Sequence, residues 1–317
     1  MAEVTRDDWP DLPHAAWRDT LDTLHMYAQV LGKLRLALSP FEPVWQNVPL
    51  YVTPRGLTTS AVPFGLRTFD AELDLIDHSV VLRSSHGGVE RRPIGGAVAE
   101  FHRDVMSALA HLGIDVEIST MPVEVPNPIP FPDDRTHSTY NPAHATLFHR
   151  VLAMVDVVTK EHRARFAGWS SRSQFFWGTF DLALARFSGR RFTPPEDAHT
   201  IRRYGATHEE ICCGWWPGEE GMPVAAFYAY SYPMPMGLAE AAVAPGDAGW
   251  DAGTNEFLLR YDAVRGSADP RRAILDFCES TYAAAARLLG WDGDLIDVEV
   301  PPPSVSPRRR EHRRRRP

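Results

Sequence analysis

The stretch "YGATHEEICCGWWPGEEG", residues 204–221, decides between two folds. Read as a helix, His208-Glu209 followed by Cys212 is one letter short of the His-Glu-x-x-His zinc motif. That motif needs its two ligands four apart on one helical face. Read as a strand, the same residues alternate between two faces, and Gly214 and Pro217 close behind Cys212 favour that reading. On a strand Cys212 and Cys213 point to opposite sides, so they do not share a metal. Adjacent cysteines are also poorly placed for a mutual disulfide. The pair reads as packing, no metal site or cofactor is expected, and His208, at the strand's start, is kept as a candidate general base.

Working outward, the second half of the chain continues in strands. "SQFFWGTFDLALARF", "EEICCGWW", "PVAAFYAYSY" and "NEFLLRYDAV" lie between a helix predicted over 142–166 and another over 270–289, with a last short strand, "LIDVEV". The first half has the same order. Trp17, Leu21, Leu24, Ala28, Leu31, Leu34 and Leu38 recur at spacings of three and four, predicting a helix over 14–38 with one apolar face. Short β-rich runs punctuated by Gly56, Gly65, Asp77-His78 and Gly87-Gly88 follow. Then come a helix after Gly96, with Gly113 as its cap, and a strand at "DVEISTMPVEV". The order helix, four or more strands, helix, strand thus occurs twice, an internal duplication at the level of elements. It predicts an α+β fold of antiparallel sheets with packed helices. The expected divisions are an N-terminal half (1–125), a Pro-rich connector (126–142, with five prolines), a C-terminal half (143–300) and a disordered Pro/Arg-rich tail (301–317).

Composition narrows the function classes. At 317 residues, 44% hydrophobic and 23% charged, the chain is globular in type. It has no run of about 18 apolar residues to span a membrane and no basic-then-apolar leader, so a cytoplasmic protein is expected. Three cysteines do not build an extracellular disulfide framework. The net charge of −8 is uneven: the tail "RRREHRRRRP" carries +6, leaving the other 307 residues at −14. An acidic body is unlike a nucleic-acid binder, and the tail would touch such partners only non-specifically. Lys33 and Lys160 are the only lysines against 31 arginines, which suggests a GC-rich bacterial genome.

Candidate site residues come from both halves. His25, Gln29 and Lys33, four apart, form a polar stripe on the first helix. Arg55, in the turn of "TPRGLTTS", is a candidate anion clamp, although that stretch lacks the Gly-Lys-Ser/Thr ending of a phosphate loop. Asp70, Glu72 and Asp74 alternate with apolar residues and read as the solvent side of a strand. In "FFWGTFDLALARFSGR", Phe176, Phe180, Leu182 and Leu184 read as core, and Trp177, Thr179 and Asp181 as the other face. An aspartate there needs a partner or carries a raised pKa; Arg186 is near in sequence but on the opposite face. Tyr228, Tyr230 and Tyr232 share one strand face and, with Trp177 and Trp215 or Trp216, would line an aromatic pocket. The competing reading is an aromatic core or docking face. No Gly-x-Ser-x-Gly, Gly-x-Gly-x-x-Gly, Walker or paired Cys-x-x-Cys motif is present.

"TLHMYAQVLGKLRLAL", "LYVTPRGLTTSAVPFG", "VPNPIPFPDD", "QFFWGTFDLALARFSGR" and "HEEICCGWWPG…AFYAYSYPMPMG" resemble, in order from about residue 9 to 292, the bacterial domain-of-unknown-function family 5996 (DUF5996). The resemblance implies one full-length family unit and no particular activity. It also implies small residues such as Ser-Ala where this chain has Cys212-Cys213, which counts against an essential thiol. The function expected is binding of a small polar or anionic ligand between the halves through His25, Gln29, Lys33, Arg55, Trp177, Arg186, Trp216, Tyr228 and Tyr230. Two alternatives stand beside it: an enzyme using His208 or Asp181 as general base, or an interaction module with an aromatic docking face. Ligand identity and oligomeric state are not legible in the residues.

Overall fold

A computed structural model of the chain describes residues 9–296 and 298. α1 (His14–Leu38) leads into β1 (Tyr51–Val52), β2 (Gly56–Thr58), β3 (Val62–Phe64), β4 (Arg67–Asp74), β5 (Ser79–Ser84) and β6 (Val89–Pro93). These form one antiparallel sheet, β1-β2-β4-β5-β6, with β3 also paired to β4. α2 (Val98–His111), an extended connector and α3 (Pro142–Ala164) follow. A second antiparallel sheet then forms from β7 (Gln174–Phe176), β8 (Asp181–Arg191), β9 (His208–Trp216), β10 (Ala226–Tyr232), β11 (Gly249–Asp251) and β12 (Glu256–Arg260). Its order is β11-β12-β10-β9-β8-β7, and a short α4 (Thr200–Gly205) interrupts the chain between β8 and β9. α5 (Tyr261–Gly266) and α6 (Pro270–Leu289) close the fold, which is α+β with two antiparallel sheets.

Local chemistry sets the helix ends. The Asn141 side chain accepts from the N–H groups of Ala143 and His144, and the Asp269 side chain from that of Arg272. Pro142 and Pro270 fill first-turn positions that need no donor. α6 stops at Gly290, whose φ of 62° is the left-handed cap.

α1 was expected to bury one face, yet every residue from Met26 to Arg35 is buried. The helix runs through the centre of the molecule. Trp17 packs on Phe148 of α3 at 5.2 Å and Tyr27 stacks on Phe101 of α2 at 4.0 Å. Elsewhere on the helix the Trp177 indole lies against Gly32, where a Cβ would stand 2.1 Å from the ring. The two sheets meet at a bridge between Leu50 and Phe175, which exchange two backbone hydrogen bonds of 2.9 Å. One cluster of buried apolar side chains continues through both halves. Leu182, Leu184, Cys213, Trp215, Phe227 and Leu259 belong to the buried face of the second sheet, against which α3 and α6 pack.

Three expectations are corrected. The run 115–125 forms no strand: the Gln29 side chain takes the place of a ladder neighbour, accepting from Val123 N–H at 2.9 Å and donating to its carbonyl at 2.8 Å. "SQFFWGTFDLALARF" is a hairpin and not one strand. Phe180, at φ 58°, ends its turn, so Phe176 sits opposite Asp181 and leaves the Leu182/Leu184 face. The acid row on β4 is not simply solvated, because Arg83 pairs with Asp70 at 2.7 Å and with Glu72, and Asp74 is fully buried. Each half places an antiparallel sheet between helices, but β3 branches off the first sheet and β12 lies between β10 and β11 in the second, so the expected internal duplication is not established. The strand expected after α6, "LIDVEV", begins in a 3₁₀ turn (Gly293–Ile296), and half of it, like the tail 301–317, lies outside the described residues.

Candidate functional site

The other face of the second sheet is the floor of a cavity of about 1090 Å³. Strand alternation fixes which side chains reach it. Register places Ala183 beside Gly214 and Tyr228, Ala185 beside Cys212 and Tyr230, and Phe187 beside Glu210 and Tyr232. Small residues on β8 and β9 leave a trough, and large ones on β10 form its side. Tyr228 lies down across β9 because Gly214 has no side chain: a Cβ there would stand 2.4 Å from the phenol. The walls come from the first half of the chain and from insertions. α1 supplies Asp22 and His25, the segment around Trp45 and Val48 closes one side, Val123-Glu124 another, and α4 brings His199 and Arg202.

Asp181 is the best-organised polar group in the cavity. It is 6% exposed and accepts from the hydroxyls of Thr179 and Tyr228, one on each oxygen. Burial raises its pKa to about 6, against the opposing pull of those two donors. Glu210, 7% exposed, has no hydrogen-bond or ion-pair partner among the described residues, and burial alone lifts it to about 8. Glu256 rises to about 7 through burial and then through the charges of Asp181 and Asp251. His25 reaches the carbonyls of Trp177 and Gly178 with Nε2, at 3.0 and 2.9 Å, so that nitrogen carries the proton. Burial lowers this imidazole to about 4, leaving it neutral. Among the described residues, seven carboxyl groups line the cavity against one guanidinium, that of Arg202.

Residues 9–298, including every wall of this cavity, match the model of a family described as "Family of unknown function (DUF5996)". The chain belongs to DUF5996. No curated protein and no solved structure shows significant similarity to it.

In this DUF5996 chain the sequence-derived candidates separate into two groups. His25, Trp177, Asp181, Trp216, Tyr228 and Tyr230 all line the cavity. Gln29, Lys33, Arg55, Arg186 and His208 do not. Gln29 is spent on Val123. Lys33, 2% exposed, lies 5.8 and 5.9 Å over the rings of Trp177 and Phe131. Arg55 pairs with Asp74 at 2.6 Å and Asp77 at 2.7 Å, beside the first sheet. Arg186 is fully buried on the sheet's other face, 3.2 Å from Glu279 and bonded to the His162 carbonyl. His208, half-buried, bonds Thr207 at 3.1 Å and faces the edge of Trp169. The cations expected to hold an anion are therefore committed elsewhere. Sequence reasoning missed Glu210, Glu256 and Glu124. Glu210 was legible by alternation with Cys212 in "EEICCGWW"; Glu124 was not, since it arrives through the connector that Gln29 holds. Among the described residues, no group of three His, Cys, Asp or Glu side chains is placed to hold a metal ion, and no helix is long and apolar enough to cross a membrane.

Proposed function

We propose that the protein binds a small organic cation in the cavity between its halves. One observation carries the reading: among the described residues, Glu210 is a buried carboxyl with no hydrogen-bond or ion-pair partner, in a cavity whose carboxyl groups outnumber its guanidinium seven to one. A buried carboxylate is costly unless a counter-charge or hydrogen bonds accompany it, so such a cavity favours an occupant that brings positive charge. The tyrosine rings beside it offer π-faces that attract cations. Among the earlier expectations, a small polar ligand between the halves is kept, and the anionic ligand is set aside because Lys33, Arg55 and Arg186 do not line the space. A catalytic use is favoured by Asp181, whose pKa of about 6 suits a general base near neutrality. Its two hydroxyl partners, however, favour the ionised carboxylate, and each oxygen keeps a second lone pair that can accept from an ammonium group, so binding is the better-supported reading.

Titration calorimetry of the full chain at about 0.15 M ionic strength, where long-range attraction to the acidic body is screened, tests this. Primary and quaternary amines of cavity size should bind, and dicarboxylates of the same size should not. Glu210→Gln should weaken the binding of those amines that fill the cavity as far as Glu210 about tenfold. Binding of dicarboxylates or neutral polyols in preference to amines would refute it.

A further inference from the structure

The carboxyls of the cavity are not gathered at one point. Asp181 and Phe187 are six residues apart on β8, and Glu210 stands directly opposite Phe187. At about 3.3 Å per residue the two acidic ends lie about 20 Å apart, measured at the backbone. Between them, in steps of two residues, run Tyr228, Tyr230 and Tyr232. Tyr228 and Tyr230 are stacked with ring planes 5° apart and centroids at 6.1 Å, and Tyr230 and Tyr232 follow at 5.0 Å. A third carboxyl, Glu256 on β12, stands level with Tyr230, since Phe257 pairs with Ala229. Glu124 adds a second acid at the Asp181 end, its carboxylate lying against the backbone of Gly178. The far end of the tyrosine ladder already takes a cation: the Arg202 guanidinium sits 4.9 Å over the Tyr232 ring.

Resting on the organic-cation reading above, we propose that the ligand is a linear polyamine lying along Tyr228, Tyr230 and Tyr232, with its end ammonium groups at Asp181 and Glu210 and an inner one at Glu256. A chain of about a dozen single bonds, each about 1.5 Å and zigzagged, covers about 15 Å, which suits acids whose side chains lean inward from backbones about 20 Å apart. Its methylenes lie on tyrosine faces, and Ala183 and Ala185 leave room for them. A compact cation would satisfy one acidic end and leave the other unpartnered. The spacing of the acids thus selects for length, beyond charge alone.

The test uses the full-length protein and three probes, spermine, 1,4-diaminobutane and butylamine, by calorimetry at about 0.15 M salt. Spermine should bind at least tenfold more tightly than either shorter amine. Glu210→Gln should abolish that advantage while leaving butylamine affinity, set at the Asp181 end, within twofold. Glu240→Gln, an exposed acid outside the cavity, should change nothing. If butylamine binds as tightly as spermine and Glu210→Gln weakens both, the length selection is wrong and the organic-cation reading stands. If Glu240→Gln weakens spermine as much as Glu210→Gln does, the amine is only coating an acidic surface, and both readings fall. Intrinsic tryptophan fluorescence and melting temperature of each variant, taken without ligand, confirm that a loss of binding is not a loss of fold.

Discussion

The Tyr228 hydroxyl donates to Asp181 across a strand that carries Gly214 at the crossing point. The three residues form one arrangement: a carboxylate on β8, a glycine on β9 and a phenol on β10 that lies flat because the glycine permits it. A Cβ on residue 214 would stand 2.4 Å from the phenol and 2.6 Å from the Leu182 carbonyl, and the second of these is backbone and does not swing away. Gly214→Ala is therefore expected to destabilise the protein by about 1–3 kcal/mol, the usual range for forced overpacking. Tyr228→Phe, which removes only the hydroxyl, should cost about 1–2 kcal/mol, since it strips one bond from a buried carboxylate. Urea denaturation of both variants checks this. A Gly214→Ala variant as stable as the parent would mean that the phenol does not occupy the place described.

Glu210 makes stability fall as pH rises. Its carboxyl is raised in the folded state to about 8, against about 4.3 in an unfolded chain. Between those values the folded state holds a proton that the unfolded state has lost, so the folded state is progressively disfavoured as pH climbs from 4.3 to 8. The groups around it are Cys212 on its own strand, Tyr230 and Tyr232 on β10, Glu256 beyond them and Arg202 on α4. Among the described residues lining the cavity, Arg202 alone carries a guanidinium, and it rests on the Tyr232 ring. Glu210→Gln should accordingly be about as stable as the parent at pH 5 and more stable by a few kcal/mol at pH 8.5. Melting curves across that range measure it. A spermine-bound protein should lose this slope, because a bound cation favours the ionised carboxylate.

How much of this could be read from the residues depends on the range of the interaction that decides each feature. β9 was legible because alternation in "HEEICCGWW" is local, and so was the opposition of Cys212 and Cys213. The starts expected for α3 and α6, at 142 and 270, agree with the structure, where the Asn141 and Asp269 side chains cap the first turn locally. The turn at Trp177–Phe180 was hidden, because "FFWGTF" alternates as well as a strand does and its one glycine is no strong breaker. α1 was misjudged for another reason. A helix between two sheets buries polar residues as long as distant backbone satisfies them, and Val123, Trp177 and Gly178 are 94 to 153 positions away from their partners on it. Arg55 and Arg186 carried the right chemistry for an anion site, but Asp74 and Glu279 had already claimed them.

Gln29 couples the helix to the cavity wall. Its amide bonds both backbone groups of Val123, and Glu124, the next residue, lines the cavity. Gln29→Leu keeps approximate volume but leaves that N–H and carbonyl without partners, at about 1–3 kcal/mol for such a loss. Exchange of the Val123 amide proton should accelerate by more than the global destabilisation explains, as the connector opens locally. Uniform acceleration across α1 and the connector would show that Gln29 acts only through overall stability.

Lys33 is a buried ammonium whose only close partners among the described residues are two aromatic rings. At 5.8 and 5.9 Å both lie near the outer limit of a cation–π contact, worth about 0.5–1 kcal/mol each at the weak end. Removing an ammonium from water costs several kcal/mol, so burial wins and its pKa is lowered. A lysine with a lowered folded pKa binds fewer protons folded than unfolded, so it costs stability at neutral pH and less as pH rises toward about 10.4, where the unfolded side chain titrates. Lys33→Met, similar in length and uncharged, should be more stable than the parent by about 1–3 kcal/mol at pH 7, with a smaller margin at pH 9.5. Chemical denaturation at the two pH values decides it. A Lys33→Met variant less stable than the parent at both would show that the rings, or a solvent path to the amine, satisfy the charge after all.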